Sequence, residues 1–156
     1  MEKFVCKIDP KIIYDLNNQI SKNRIINWAP DYNDQAGISF DDLSYILDYW
    51  KNKFSWANEE EKLNKFNQYV FQYDNVKTHF LHIKSNHKNS IPLLLIHGWP
   101  GSIFEFNDLI PLLTSPDKND LKDHLAFDLI IPSLPNVGFS FSPKQKPLAL
   151  NEISKH

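Results

Sequence analysis

The segment LLLIHGWPGS, residues 93–102, decides the fold class of this chain. An apolar run of strand length ends at His97, and a loop with two glycines follows it directly. A short run that is apolar at every position is typical of a strand buried on both faces of a parallel sheet. We therefore predict a buried strand over residues 92–96 that ends in a glycine-rich loop.

A helix and a second strand are predicted after this loop. Ser102 and Glu105 fit the S-x-x-E capping box with which helices begin. The next apolar run, AFDLIIPSLP, indicates another buried strand over residues 127–132, which prolines end. The predicted helix would bury one stripe of apolar side chains: Ile103, Phe106, Leu109, Ile110 and Leu113. This strand–helix–strand order predicts an α/β fold, in which functional loops lie at the carboxyl ends of parallel strands.

Three helices are predicted before the first buried strand. Asp9-Pro10 is an N-cap followed by proline at the first helical position. Ser39 and Asp42 form a further capping box, and a third helix is expected from about Asn58. The hydrophobic period then changes to two over QYVFQYD and VKTHFLHIKS, which meet at Asp74-Asn75. Alternation on both sides of a tight polar turn predicts a β-hairpin.

Composition excludes several classes of protein. The chain has 156 residues, 42% of them hydrophobic, which is enough apolar material for a core. Its net charge of −2 gives no basic footprint for nucleic acid. No apolar run approaches the ~20 residues of a membrane span, and the N-terminus lacks the apolar region of a signal peptide. We therefore expect a cytoplasmic protein with neither a membrane nor a nucleic-acid partner, and we interpret its one cysteine, Cys6, as structural.

The loop at residues 97–102 has the features of an oxyanion-binding turn. Gly98 allows the backbone to approach a bound group, and Pro100 fixes φ and permits a cis bond after Trp99. The donor left to face the site would be the Trp99 amide, aimed at developing negative charge. A purely structural turn is the alternative. A phosphate-binding loop is excluded because the lysine of G-x-x-x-x-G-K-[ST] is missing.

Two long segments, IPLLLIHGWPGSIFEFNDLIPLLT and FDLIIPSLPNVGFSFSP, resemble the epoxide hydrolases of the α/β-hydrolase superfamily, of the microsomal and fungal type. The upstream segments WAPDYNDQAGISFDDLSYILDYWKNKFSWANEEEKLNKFNQY and THFLHIKS are similar to the same family. The resemblance implies a helical extension over residues 1–66. It implies that residues 67–156 are the first strands of an α/β-hydrolase sheet, truncated before the nucleophile elbow. One departure is Asn136-Val137, where the family usually has a glycine and an aromatic residue; Asn136 can still adopt a positive φ.

The resemblance also implies a mechanism without metal or organic cofactor. In the family an aspartate on a G-x-D-x-G turn attacks the epoxide, and the resulting ester is hydrolysed to release a vicinal diol. An oxyanion hole stabilises the tetrahedral intermediate of that hydrolysis, and Trp99 would supply one of its backbone donors. The residues implied to support the pocket and its loops are His97, Gly98, Pro100, Gly101, Pro135, Gly138 and Phe139.

No aspartate of the chain lies in a G-x-D-x-G motif, and no G-x-S-x-G motif is present. The family's nucleophile, histidine and acid would all follow His156, so we expect the chain to be inactive alone. The alternatives are a pseudo-enzyme, a partner-binding module, or one half of a split hydrolase completed by a chain that carries the C-terminal half. Without the nucleophile strand beside it, the strand at 92–96 would have an open edge, so we also expect self-association.

The remaining polar and aromatic residues suggest no second site. His97 is interpreted as a hydrogen-bonded histidine at the end of a strand. His79 and His82 are three apart on a strand and face opposite sides, which is unsuited to a shared metal. Asp41-Asp42 and Glu59–Glu61 are interpreted as solvated helix starts. Four aromatic residues are assigned to core or lid packing: Tyr45, Tyr49, Trp50 and Trp56.

Overall fold

The computed structural model describes residues 1–22, 37–73, 76–116 and 125–141. These residues form two compact units. One is helical and comprises the described part of Cys6–Leu63; the other carries the sheet and comprises Met1–Val5 with the described part of Asn64–His156. The assignment of residues 1–66 and 67–156 to two family domains stays a prediction.

The helical unit contains the three predicted helices: α1 (Pro10–Lys22), α2 (Phe40–Asn52) and α3 (Trp56–Leu63). The Asp9 carboxylate accepts the backbone N–H two residues later at 2.8 Å, and the Ser39 hydroxyl accepts the one three residues later at 3.0 Å. Both N-caps were predicted and are confirmed. Helix α3 begins before the expected Asn58, because the Ser55 hydroxyl accepts the Asn58 N–H at 3.4 Å.

Glu60, which was expected to be a solvated residue of a helix start, is half-buried and accepts two hydrogen bonds. The Glu60 carboxylate accepts the backbone N–H of Ile8 at 2.8 Å and the indole N–H of Trp56 at 3.2 Å. It therefore ties the chain that precedes α1 to α3.

Cys6 is buried. Its burial, and to a smaller extent the charge of Glu60, raise the pKa of the Cys6 thiol to about 11. The thiol is thus protonated at neutral pH, as a structural cysteine would be.

The sheet unit has five strands: β1 (Glu2–Phe4), β2 (Gln68–Tyr73), β3 (Val76–Ile83), β4 (Ile91–Leu94) and β5 (Phe127–Pro132). Their order across the sheet is β1-β2-β3-β5-β4. The first three pairs are antiparallel, and β4 runs parallel to β5. The fold is α/β, as predicted.

The hairpin is confirmed by the register of β2 and β3, in which Tyr73 pairs with Val76. Its turn, Asp74-Asn75, lies outside the described residues. Strand β1 was not predicted. It has three residues, Glu2–Phe4, which is too short a stretch to establish a period of two, and it forms by pairing with β2.

The core of the sheet unit lies at its centre. Leu81 of β3 pairs with Ile131 of β5, and Leu129 pairs with Leu93 of β4. Leu81, Leu129 and Ile131 are each 0% exposed. Alternate side chains of β5 therefore form the inward face, as a strand period of two requires.

The first apolar strand differs from its prediction. It spans Ile91–Leu94 rather than 92–96, and it is not buried on both faces, since the Leu94 side chain is 56% exposed. Within the described part of the chain, β4 has a paired neighbour on one side only, β5. Among the described residues, an edge position of this kind leaves backbone N–H and C=O groups of β4 without a partner strand. The ladder does extend one bond further, from the Leu95 N–H to the Ile130 carbonyl at 2.9 Å.

The single helix expected after Ser102 is two elements. A 3₁₀ turn spans Ile103–Phe106, and the short helix α4 spans Leu109–Thr114. Pro111 explains the break, because it lacks the N–H that a continuous helix would direct to the carbonyl four residues earlier. Of the predicted stripe, Ile103 and Ile110 are buried, whereas Leu109 is exposed.

Asp128, near the start of β5, fixes the loop that precedes β4. Its Oδ1 accepts the Ser85 backbone N–H and the Ser90 hydroxyl, both at 2.8 Å. These two hydrogen bonds hold the pKa of the Asp128 carboxyl below its ordinary value. The loop is therefore anchored at the end of the sheet opposite to the glycine-rich loop.

Candidate active site

Two loops leave the same edge of the sheet. Because β4 and β5 are adjacent and parallel, their carboxyl ends lie side by side. Residues 95–102 follow β4, and residues 133–141 follow β5. The Leu134 backbone N–H of the second loop donates to Nε2 of His97 in the first, at 3.1 Å. The structure therefore brings together the two segments that sequence analysis assigned to one site.

His97 occupies the junction of the two loops. Its side chain is buried, and its Nδ1 lies 3.1 Å from the carbonyl oxygen of Gly98. Since Nε2 accepts a backbone N–H, the proton of the neutral ring belongs on Nδ1, from which it is donated to that carbonyl. Because both ring nitrogens form hydrogen bonds within the protein, His97 has a structural role and has no nitrogen available to act as a catalytic base.

Trp99 is an exposed residue of the first loop. The residue is 90% exposed, and its bond to Pro100 is cis. Among the described residues, no hydrogen bond uses the Trp99 amide N–H. A backbone donor without a protein acceptor at a loop tip is what an oxyanion hole requires. The role itself is a prediction.

The two glycines of the first loop have different surroundings. A Cβ added to Gly98 would meet nothing within 4 Å among the described residues, so the space beside it is open. A Cβ added to Gly101 would collide with the carboxylate of Glu105. The predicted cap is present in part: the Ser102 hydroxyl accepts the Phe104 N–H at 3.3 Å. The Glu105 carboxylate packs against the Gly101 α-carbon.

The second loop consists of two tight turns. The Val137 N–H donates to the Leu134 carbonyl at 2.9 Å, with Pro135 and then Asn136 between them. Asn136 has φ 63°, which confirms that it can replace a glycine here, and proline followed by a positive φ is the pattern of a type II turn. The next turn contains Gly138, whose φ is 57°.

Phe139 points into the protein from this loop. Its ring lies 5.1 Å from the His79 ring, edge to face, and 5.5 Å from the Phe4 ring. Phe139 is half-buried, and Pro135 is buried. These two residues therefore support the loop from inside, whereas Asn136 and Gly138 are exposed at its tip.

Sequence analysis missed a buried polar network beneath this loop. His79 is 0% exposed; its Nδ1 lies 3.0 Å from the Ser133 hydroxyl, and its Nε2 lies 3.0 Å from the Gln68 side-chain oxygen. Burial lowers the pKa of His79 to about 4, so the ring is neutral at physiological pH. A signal was present, because His79 shares the inward face of β3 with Leu81.

The contacts Ser133–His79–Gln68 have the connectivity of a catalytic triad but not its accessibility. A nucleophilic serine must reach a substrate, and Ser133 and His79 are both buried. The network is therefore structural.

His82, predicted to face away from His79, is half-buried. It lies near the Tyr69 ring, with ring centres 6.2 Å apart.

The helical unit contains a separate apolar groove of about 610 Å³. The residues that line it are Ile13, Leu16, Asn17, Ile46, Tyr49, Trp50, Phe54, Ser55, Trp56 and Ala57. Three of the aromatic residues assigned to core or lid packing thus line a groove, and Tyr45 is exposed. Among the described residues that line the groove there is neither a carboxylate nor an imidazole.

Residues 1–22, 37–73, 76–116 and 125–141 contain neither a cluster of metal ligands nor a membrane-spanning helix. No three histidine, cysteine or acidic side chains in these ranges gather closely enough to hold a metal ion. No helix in the same ranges has the length and hydropathy needed to cross a membrane.

Comparison with known proteins identifies the family. The family model described as "Epoxide hydrolase N terminus" matches residues 1–106. A protein of Stigmatella aurantiaca (strain DW4/3-1), whose name is that of an epoxide hydrolase, is 44% identical over 119 residues, which are 76% of this chain and 27% of that protein. "Epoxide hydrolase 1" of Sus scrofa is 36% identical over 138 residues, 86% of this chain and 30% of the relative. The chain thus spans less than a third of the length of these curated relatives.

Solved structures give the same result for the fold. The epoxide hydrolase of Aspergillus niger superposes with a TM-score of 0.81 at 27% identity, over 99% of this chain and 40% of that one. The juvenile hormone epoxide hydrolase of the silkworm Bombyx mori superposes with a TM-score of 0.82 at 29% identity, over 98% of this chain and 36% of that one.

Proposed function

Because this chain belongs to the epoxide hydrolase family, we propose that it is the part of an epoxide hydrolase that supplies one backbone donor of the oxyanion hole. The donor is the Trp99 amide. The reaction of the complete enzyme is the hydration of a small-molecule epoxide to a vicinal diol. One observation carries the proposal: the Trp99 N–H has no acceptor among the described residues, at a loop joined to its neighbour through His97.

The proposed donor acts on one intermediate. When water attacks the ester formed between an aspartate and the opened epoxide, the ester carbonyl oxygen becomes an oxyanion. A preorganised N–H directed at this oxygen stabilises the intermediate more than the ester, and this difference lowers the barrier. The donor creates no bond by itself, so its effect depends on a nucleophile that the 156 residues do not carry in a G-x-D-x-G motif.

The remaining predicted residues act in support of this donor. We place the substrate pocket between residues 97–102 and residues 134–139, which the Leu134–His97 bond holds together. The open space beside Gly98 favours close approach of a bound group, and the buried Pro135 and half-buried Phe139 support the opposite wall.

The first experiment tests the 156 residues alone. We expect no diol from a reactive aryl epoxide above the rate in buffer, because the donor has no covalent intermediate to stabilise. The matched control is the double variant Trp99→Ala, His97→Ala. Turnover well above both buffer and this variant would contradict the proposal that the chain is inactive alone.

The second experiment tests the donor in a complete active site. Residues 1–141 are fused to the remaining part of the Stigmatella aurantiaca relative. Trp99→Pro removes the amide N–H, and we expect a fall in kcat of about 10²–10³. Trp99→Ala keeps the N–H and serves as the control. An equal loss in both variants would show that the amide is not the donor.

The alternatives predict different results in a mixing experiment. Activity that appears only when the chain is mixed with a separate chain carrying the C-terminal half would establish a split hydrolase. A fusion that folds but stays inactive, with no activity on mixing, would favour the pseudo-enzyme or the partner-binding module.

A further inference from the structure

The buried network around His79 holds both ends of the second loop. At its start, the Ser133 backbone N–H donates to the His79 carbonyl at 2.9 Å, and the Ser133 hydroxyl lies 3.0 Å from His79 Nδ1. At its end, the Ser140 hydroxyl accepts the His79 backbone N–H at 2.8 Å and donates to the Ser133 carbonyl at 2.7 Å. One residue of β3 thus fixes residues 133 and 140 together.

The side-chain contacts of His79 define one neutral tautomer. Gln68 donates its amide N–H to the Asn64 side-chain oxygen at 2.9 Å, so its own oxygen faces His79 Nε2. Nε2 therefore carries the proton and Nδ1 accepts from the Ser133 hydroxyl. Every polar atom of the ring is satisfied, and a fully satisfied buried network is rigid.

This rigidity reaches the first loop through one residue. Leu134 directly follows Ser133, and its N–H donates to His97 Nε2 at 3.1 Å. On the other side of the same ring, Nδ1 lies 3.1 Å from the Gly98 carbonyl oxygen. That carbonyl and the Trp99 N–H belong to the same peptide unit, which is planar with the two groups pointing in opposite directions.

We propose that His79 is a positioning residue for the Trp99 amide. It fixes Ser133, and therefore Leu134, so that the His97 ring is held and the Gly98–Trp99 peptide plane takes one orientation. The Trp99 N–H then points away from the His97 ring. The inference rests on the proposed function only in treating the Trp99 amide as the donor.

The test uses ¹⁵N- and ¹³C-labelled full-length chain and nuclear magnetic resonance. In the unmodified chain we expect His97 with its proton on Nδ1 and a scalar coupling across the hydrogen bond from the Leu134 amide to Nε2. A His97 ring with the proton on Nε2, or no such coupling, would overturn the proposal without any variant.

Two variants test the connection to His79. In His79→Gln and Ser133→Ala we expect about tenfold faster hydrogen exchange at the Leu134 amide and a shifted Trp99 amide resonance. His82→Gln changes the same residue type on the same strand and should leave both signals in place. Unchanged His97 and Trp99 signals in the two network variants would contradict the proposal. Unfolding of both variants would contradict it too, because a positioning residue can be replaced without unfolding the protein.

These readouts do not depend on catalysis. If Trp99→Pro and Trp99→Ala were equally impaired in the fusion enzyme, the proposed function would fail while the coupling between His79 and the Trp99 peptide could still be measured. The opposite result is also possible: the His79 variants leave the Trp99 amide resonance unchanged, and Trp99→Pro alone is impaired. The proposed function would then stand, and the positioning role of His79 would be rejected.

Discussion

Acidification should destabilise the sheet unit through His79. Burial lowers the pKa of this ring from an ordinary value of 6.5 to about 4, so the unfolded chain binds a proton at a pH where the folded chain does not. The contribution of the neutral His79 ring to the free energy of unfolding is therefore complete above pH 6.5. It falls as the pH drops towards 4, and it is lost below pH 4. A pKa difference of this size corresponds to about 3 kcal/mol.

The assay is urea unfolding of the full-length chain at several pH values between 7.5 and 4. The unmodified protein should lose about 3 kcal/mol across this range, and His79→Gln, which has no titrating ring at this position, should lose that much less. His82→Gln is the matched control and should keep the pH dependence. Asp128 does not confuse the result, because its lowered pKa places its own loss of stability at a more acidic pH. If His79→Gln and the unmodified protein showed the same pH dependence, the argument from burial would be refuted.

Three further outcomes are expected. Leu129→Ala should lower the free energy of unfolding by about 2–5 kcal/mol, because it opens a cavity in the core. Leu112→Ala, at an exposed position of α4, should lower it much less, and the melting temperatures of the two variants test this difference. Gly138→Ala should destabilise by about 1 kcal/mol or more, because its φ is positive, while Gly98→Ala should leave urea unfolding unchanged. Leu94→Lys places a charge on the open edge of β4 and should reduce self-association in sedimentation velocity; a chain that is monomeric without the substitution would contradict this expectation.

Elements with a local signal were predicted well. The cap at Ser39 and the period of two in β2 and β3 are encoded within a few residues, and the loop at 97–102 combines glycine, proline and a helix start in one short stretch. Each of these signals acts on its own neighbours, so a single sequence is enough to read it.

Features that depend on distant partners could not be predicted in the same way. β1 is a strand only because β2 pairs with it, and the contact between Leu134 and His97 joins residues far apart in the chain. The pairing of His79 with Ser133 is of the same kind. The break in the predicted helix is different, since Pro111 was visible in the sequence, and apolar periodicity was wrongly given more weight than the missing donor.

The pairing of β1 with β2 makes the helical unit an insertion between two neighbouring strands. Phe4 pairs with Gln68, so the chain leaves the sheet after β1 and returns to it at the neighbouring strand, β2. The entropy of closing a loop grows only slowly with its length, so pairing the two strands costs little more with the helical unit in place than with a shorter connection. A change in the length of this connection would therefore alter the cost of pairing β1 with β2 only slightly.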